Sequence, residues 1–182
     1  MTRRWIALFA AAALVLATTA ASAQSGSTSK QQEEDGGVRA SVAASLGFFA
    51  DDPGGLNLGF EFPIEVNRNL SIGPWVTLGL ADDFLLLSAT ANVRYHFDVF
   101  DGAKLSKLRP FLQGGAGLTY YDDDARNDDD TGFLMNMGLG AEYAVSEHVG
   151  VGSNIMFNVV PTFRPSQAFY WSWQFLSVRY RF

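Results

Sequence analysis

From Val38 to Phe182 the chain repeats one pattern eight times, with large apolar side chains at every second position and small or polar ones between them. A period of two sends successive side chains to opposite faces of an extended strand, so each segment reads as a β-strand with one apolar face. The first spans about Val38 to Phe49, with Val42, Leu46 and Phe48 on one side and Arg39, Ser41 and Gly47 on the other. The second is the most regular, interleaving Leu56, Leu58, Phe60, Phe62, Ile64 and Val66 with Asn57, Gly59, Glu61, Pro63 and Glu65. Six more follow, led by Leu70, Leu87, Pro110, Phe133, Val149 and the stretch ending Val178-Arg179-Tyr180-Arg181-Phe182. The connection Asn67-Arg68-Asn69 is too short for anything but an antiparallel neighbour. Eight antiparallel strands are expected to close into an up-and-down barrel whose bore is just filled by side chains.

Ahead of the pattern, Arg3 and Arg4 precede an almost wholly apolar stretch from Trp5 to Ala20 and then Ala21-Ser22-Ala23. That is the layout of a secretory signal peptide, 1–23. An uncleaved anchor helix is the rival, but the apolar stretch is short for a span and a small-residue cleavage site follows it directly. The mature chain is expected to begin at Gln24, with a disordered polar segment over 24–37 and one barrel domain over 38–182. No peptidoglycan-binding domain is expected after the barrel.

The formal charge of −6 becomes −8 once Arg3 and Arg4 are removed, because the leader holds no acidic residue. That balance argues against a nucleic-acid partner. With no cysteine, stability must come from pairing and packing. No second apolar run reaches the length of a transmembrane helix, so a mature chain that spans a membrane must do so as a closed sheet with no unpaired edge.

Alternation alone does not say which face points inward, since a soluble eight-stranded barrel of the lipocalin kind has the same period. The kind of polar residue decides. The only lysines are Lys30, Lys104 and Lys107, none within a strand, and the polar faces are dominated by Gly, Ser, Asn and Thr, small enough to line a narrow bore. A lysine facing lipid near the midplane would cost about 2–4 kcal/mol. Eleven residues at about 3.3 Å each, tilted by about 45°, rise about 25 Å, the height of an outer-membrane apolar band. Tyr95, Phe97, Tyr120, Tyr143, Tyr180 and Phe182 fall near strand ends on the apolar face, where interfacial girdles are expected.

The leader, the eight alternating segments, the motif Arg109-Pro110-Phe111-Leu112-Gln113-Gly114-Gly115-Ala116-Gly117, the run Gly138-Leu139-Gly140-Ala141-Glu142-Tyr143 and terminal Phe182 together resemble the small eight-stranded outer-membrane barrels typified by outer-membrane proteins A and X. The resemblance covers essentially the whole mature chain, though its motifs are patterns rather than signatures. It implies residence in the outer membrane after export through the periplasm, and contact with outer-membrane lipids and lipopolysaccharide. It also implies delivery by periplasmic chaperones to the barrel-assembly machinery, which reads a C-terminal aromatic strand ending here at Phe182, and a closed or very narrow lumen. No cofactor is expected.

With both termini of an even-stranded barrel in the periplasm, the periplasmic turns fall at Asn67–Asn69, Asp98–Lys107 and Ser146–His148. The outer loops fall at Ala50–Gly55, Ala81–Asp83, Asp122–Thr131 and Pro161–Gln167. The outer loops carry ten aspartates against Arg126 and Arg164, giving an anionic rim suited to surface interaction. Asp122, Asp124, Asp128 and Asp130 are candidate ligands for a hard divalent cation, but they lack the spacing and central glycine of a calcium loop, and a solvated acidic loop is the plain reading.

On the polar parity, Glu61, Glu65 and Glu142 share the bore with Arg39, Arg94, Arg179 and Arg181. Charges in so tight a space need partners, which predicts an ion-pair network in the periplasmic half that plugs the lumen, or alternatively one that re-pairs to form a narrow pore. A lipid-modifying enzyme is a third reading, weakened because His96 and His148 have no evident nucleophile and acidic partner at the lipid face. Trp75, Trp171 and Trp173 share luminal parity unless a bulge in the last strand changes it, and are candidates to cap the outer end of the bore or line an aromatic ligand pocket.

Overall fold

A computed structural model of the protein describes residues 39–50, 54–99, 107–124, 128–162 and 168–182. The expected leader 1–23, the segment 24–37 and Val38 lie outside them, as do Asp51, Asp52, Lys104, Arg126 and Arg164. Among the described residues every regular element is a strand: β1 Arg39–Ala50, β2 Gly55–Glu61, β3 Ile64–Glu65, β4 Leu70–Ala81, β5 Phe84–His96, β6 Leu108–Asp123, β7 Asp128–Ala144, β8 Val149–Val159 and β9 Phe169–Arg181. All pairings are antiparallel, and β9 pairs back onto β1 from Ser41↔Arg181 to Ala50↔Trp171, which closes the barrel.

The second alternating segment is broken in two. Pro63 has no N–H to give the ladder, so regular pairing stops at Glu61 and resumes at Ile64. The chain stays in line because Ser41 N donates to Pro63 O at 2.9 Å and Phe62 N to Pro74 O at 3.1 Å. β2 and β3 are therefore halves of one stave, and the barrel has eight. Gly73 sits opposite the break, where a Cβ would run into the backbone of Phe62 and Pro63.

Turn chemistry at one end is local. Asn67 Oδ1 accepts from the backbone N–H groups of Asn69 (2.9 Å) and Leu70 (2.8 Å), and Ser146 Oγ accepts from Val149 N at 3.0 Å. This end, which also carries Phe182, is called proximal below and the aspartate-rich end distal.

The distal hairpin differs from expectation. Asp122, Asp123 and Asp128–Thr131, expected in a loop, continue β6 and β7 as paired strand, with Tyr121↔Asp130, Asp122↔Asp129 and Asp123↔Asp128 in register. Opposed aspartates are unfavourable by themselves. Tyr121 holds the extension by stacking on Phe84 at 6.0 Å while its hydroxyl donates to Asp128 at 3.0 Å.

β9 carries a bulge. Between the pairs Leu46↔Leu176 and Phe48↔Trp173, β9 spends one residue more than β1, and the same shift appears against β8. Phe175 and Leu176 consequently both face outward. Gly47 makes the close approach possible, since a Cβ there would meet the backbone of Trp173 and Gln174.

The outer wall is dominated by apolar side chains. Leu56, Phe60, Ile72, Val93, Leu112, Met135, Met137, Leu139, Phe157 and Val178 are all exposed, Met137 at 67%. Ser88, Asn92, Arg94, Gln113, Asn136, Glu142, Asn158 and Arg179 are buried inside. So the polar face points inward, the reverse of a soluble barrel, and a belt of that extent matches acyl chains rather than water.

Candidate functional site

The bore has three storeys, set by where each strand crosses it. At the distal end Phe49, Phe84, Leu86, Tyr121, Leu134, Val160 and Tyr170 form one buried cluster, with Ala81 packed against it. Here the alternation gives way to unbroken apolar runs, such as Phe84-Leu85-Leu86-Leu87 and Phe133-Leu134-Met135, which fill both faces. The middle storey is neutral and polar. Ser88 and Thr119 share a hydrogen bond at 2.8 Å, and Asn92 Nδ2 donates to Thr90 Oγ1 at 2.6 Å.

The proximal storey holds charge. Arg94 donates through Nη2 to both oxygens of Glu61, at 2.7 and 2.9 Å, and through Nε to Gln113 at 2.8 Å. Its guanidinium lies 4.2 Å from the centre of the Phe111 ring. Arg179, 2% exposed, bridges Glu61 and Glu142 at 2.9 Å each and reaches Ser41 Oγ at 3.3 Å. Arg181 then joins Glu142 to Glu65, the latter at 3.0 Å. The result is an alternating chain, Arg94–Glu61–Arg179–Glu142–Arg181–Glu65, with no net charge.

Of the seven residues expected in the network, the structure brings these six together and leaves out Arg39. It is exposed at the first position of β1, and although it lies in register with Glu65, that carboxylate turns to Arg181. Sequence reasoning missed Gln113 and Phe111, which complete the shell around Arg94; both carry luminal parity, the signal that identifies them.

The tryptophans are corrected by the bulge. Trp75 is luminal and 3% exposed, but Trp171 and Trp173 face outward, so the three do not assemble and the distal cap is the Phe49–Phe84 cluster instead. Trp171 and Trp173 each meet the Phe48 ring edge-on at 5.6 Å. An outward indole N–H needs a partner where water is scarce, and Trp173 Nε1 donates to Ser153 Oγ at 2.9 Å. Ser153→Ala is expected to lower the unfolding free energy of the barrel in lipid vesicles by about 1–3 kcal/mol, read from urea titration; an unchanged midpoint would show that the bond contributes nothing.

Tyr95, Tyr143, Tyr180 and Phe182 form an exposed proximal aromatic band, with Phe97 stacked edge-on against Tyr95 at 5.1 Å and Phe182 against Tyr180 at 5.3 Å. Tyr120, expected in the distal band, is 4% exposed and does not contribute to that surface. His96 is buried against Phe111, and His148 stacks on Tyr180 at 6.1 Å. Neither forms a hydrogen bond to a serine or carboxylate side chain among the described residues.

Among the described residues no group of three acidic or histidine side chains is placed to hold a metal ion. Asp128 accepts from Tyr121, Asp130 Oδ1 accepts from Thr131 N at 2.7 Å, and Asp122 faces Asp129 across the ladder. On the proximal turns, Asp98 is held below the usual carboxylate range, first by a hydrogen bond from Asn69 Nδ2 at 2.7 Å and then by Arg109 and Arg68.

No protein-family profile matches the chain, and no curated protein sequence does. Solved structures do. The crystal structure of Neisserial surface protein A aligns with a TM-score of 0.63 at 17% identity, covering 82% of this chain and all of that one. The N-terminal β-barrel domain of Pseudomonas aeruginosa OprF aligns with a TM-score of 0.59 at 14% identity, over 80% of this chain and all of that one. At such identities the likeness establishes the fold, a closed eight-stranded antiparallel barrel of the small outer-membrane type.

Proposed function

We propose that this chain is an integral barrel of a bacterial outer membrane that contributes to envelope structure and is not an enzyme. The observation that carries the reading is the filled bore. An apolar cluster closes one end, six alternating charges bolt the other, and the outer wall is apolar between two rims. A protein built this way uses its outer surface to hold lipid and its rims to meet other molecules.

In this reading the distal aspartates face the cell exterior and present a solvated anionic surface for interaction beside lipopolysaccharide. Phe182, exposed and stacked on Tyr180, serves as the mark read by the barrel-assembly machinery after the chaperones of the periplasm deliver the chain. The likeness to outer-membrane barrels in fold and the inward polar face support this placement.

The test is electrical and chemical together. In planar bilayers neither wild type nor Glu61→Ala is expected to give unitary current steps, because the distal cluster remains when the ion-pair chain is cut. Cells overproducing the protein are expected to keep unaltered lipid A by mass spectrometry. Resolved steps in wild type would replace this reading with a narrow pore, and a loss of acyl chains with an enzyme.

A further inference from the structure

Three methionines lie on the paired strands β7 and β8, and the wall sorts them by facing. Met135 and Met137 point outward, 44% and 67% exposed, whereas Met156 is 0% exposed. Met156 stands in register with Gly138, the residue after Met137, so Met137 and Met156 share nearly one height on opposite faces of one sheet. A Cβ at Gly138 would collide with Met156 Sδ, which places that sulfur against the inner surface of β7.

The neighbours of the outward pair on the β6 side are small. Met135 is in register with Ala116 and Met137 with Gly114, and one strand further these face Ala91 and Val93. A Cβ at Gly114 would meet only Asn136 O, at 3.6 Å, so the wall beside Met137 is open. Two long, polarizable side chains therefore stand over a low stretch of the belt where acyl chains are the solvent. Leu, Val, Ile and Phe, which make up most of that belt, have no lone pair; a thioether has.

We propose that Met135 and Met137 are an oxidation site for organic hydroperoxides dissolved in the bilayer. The sulfur lone pair attacks the terminal oxygen of the O–O–H group. An S–O bond forms, the O–O bond breaks, and the departing oxygen keeps the electron pair and takes up the hydroperoxide proton, leaving as an alcohol. Sulfur is oxidised by two electrons and the hydroperoxide is reduced by two, so each sulfoxide formed consumes one hydroperoxide. Facing selects the oxidant. A charged oxidant stays in water, because entering hydrocarbon would strip its hydration, whereas a hydroperoxide on an apolar body dissolves beside the wall. The product is polar and chiral, and it marks a face otherwise built of hydrocarbon. The assignment rests on the lipid-facing wall and on neither the envelope role nor a closed bore.

The experiment uses the barrel refolded in vesicles of a saturated phosphatidylcholine, in chelator-treated buffer. One sample receives cumene hydroperoxide, which enters the bilayer, and another receives taurine chloramine, which is charged and stays in the buffer. After cumene hydroperoxide, peptide mass spectrometry should find one added oxygen on Met135 and one on Met137, with cumyl alcohol formed in matching amount. Met156 should stay unchanged until urea unfolds the barrel, and taurine chloramine should spare all three methionines in the folded state. The double substitution Met135→Leu with Met137→Leu keeps volume and apolarity, and should yield no more cumyl alcohol than protein-free vesicles. The wild-type peptide map decides by itself if that variant does not fold. Met135 and Met137 left intact by cumene hydroperoxide, Met156 oxidised as fast as they are in the folded barrel, or both oxidised by taurine chloramine would each overturn the proposal.

Discussion

Arg179→Met is expected to lower the unfolding free energy of the barrel in lipid vesicles by about 3–5 kcal/mol, measured by urea titration with heat-modifiable gel migration as the readout. Arg179 is the middle cation of the ion-pair chain and the only one that bridges Glu61 and Glu142 together. Its removal leaves Glu61 with Arg94 alone and Glu142 with Arg181 alone, and both carboxylates are buried. Methionine fills part of the volume, so the loss reports mainly uncompensated charge rather than a hole. Adding Glu142→Gln to the same chain should return part of the stability, because the unmatched carboxylate is then gone. Arg39→Met, at the exposed position outside the chain of pairs, should change stability by no more than about 0.5 kcal/mol. A loss below about 1 kcal/mol for Arg179→Met would mean that the pairs are incidental to the closed bore.

Met137→Lys tests the opposite face and should cost about 2–4 kcal/mol in the same assay. Met137 lies near the middle of β7 and is the most exposed apolar side chain on any strand, at 67%. On a water-facing wall a lysine there would be harmless or would improve solubility. On a lipid-facing wall its ammonium must be dragged toward a headgroup or left in hydrocarbon. A stable Met137→Lys barrel that no longer needs detergent would invert the assignment of the two faces.

The architecture was legible in the sequence because a lipid-spanning sheet suppresses the exceptions that usually blur period two. Leu56 to Glu61, Leu87 to Arg94 and Met135 to Gly140 each alternate without a lapse, and every one lies as its parity requires. The six paired charges were legible for the same reason. Arg39 was not, since parity gives a residue's face but says nothing of its height; at the first position of β1 the bore has opened to the rim.

Three features escaped for definable reasons. The distal cluster hides where both parities turn apolar, as at Phe84 to Leu87, so that alternation vanishes where packing is densest. The extension of β6 and β7 through five aspartates runs against strand propensity, and it takes the Tyr121 contacts with Phe84 and Asp128, which are distant in sequence or across a turn, to hold it. The facing of Trp171 and Trp173 depends on one surplus residue in β9, and Gly47 on the neighbouring strand is the only local hint of it.

That surplus residue has a geometric consequence for how the sheet becomes a cylinder. A bulge sharpens local coiling, and this one lies on the last strand where it pairs with the first, the seam that closes the sheet. One added residue thus bends the ribbon at its join and lets a single strand point guanidinium groups into the bore along one half and indoles into the bilayer along the other.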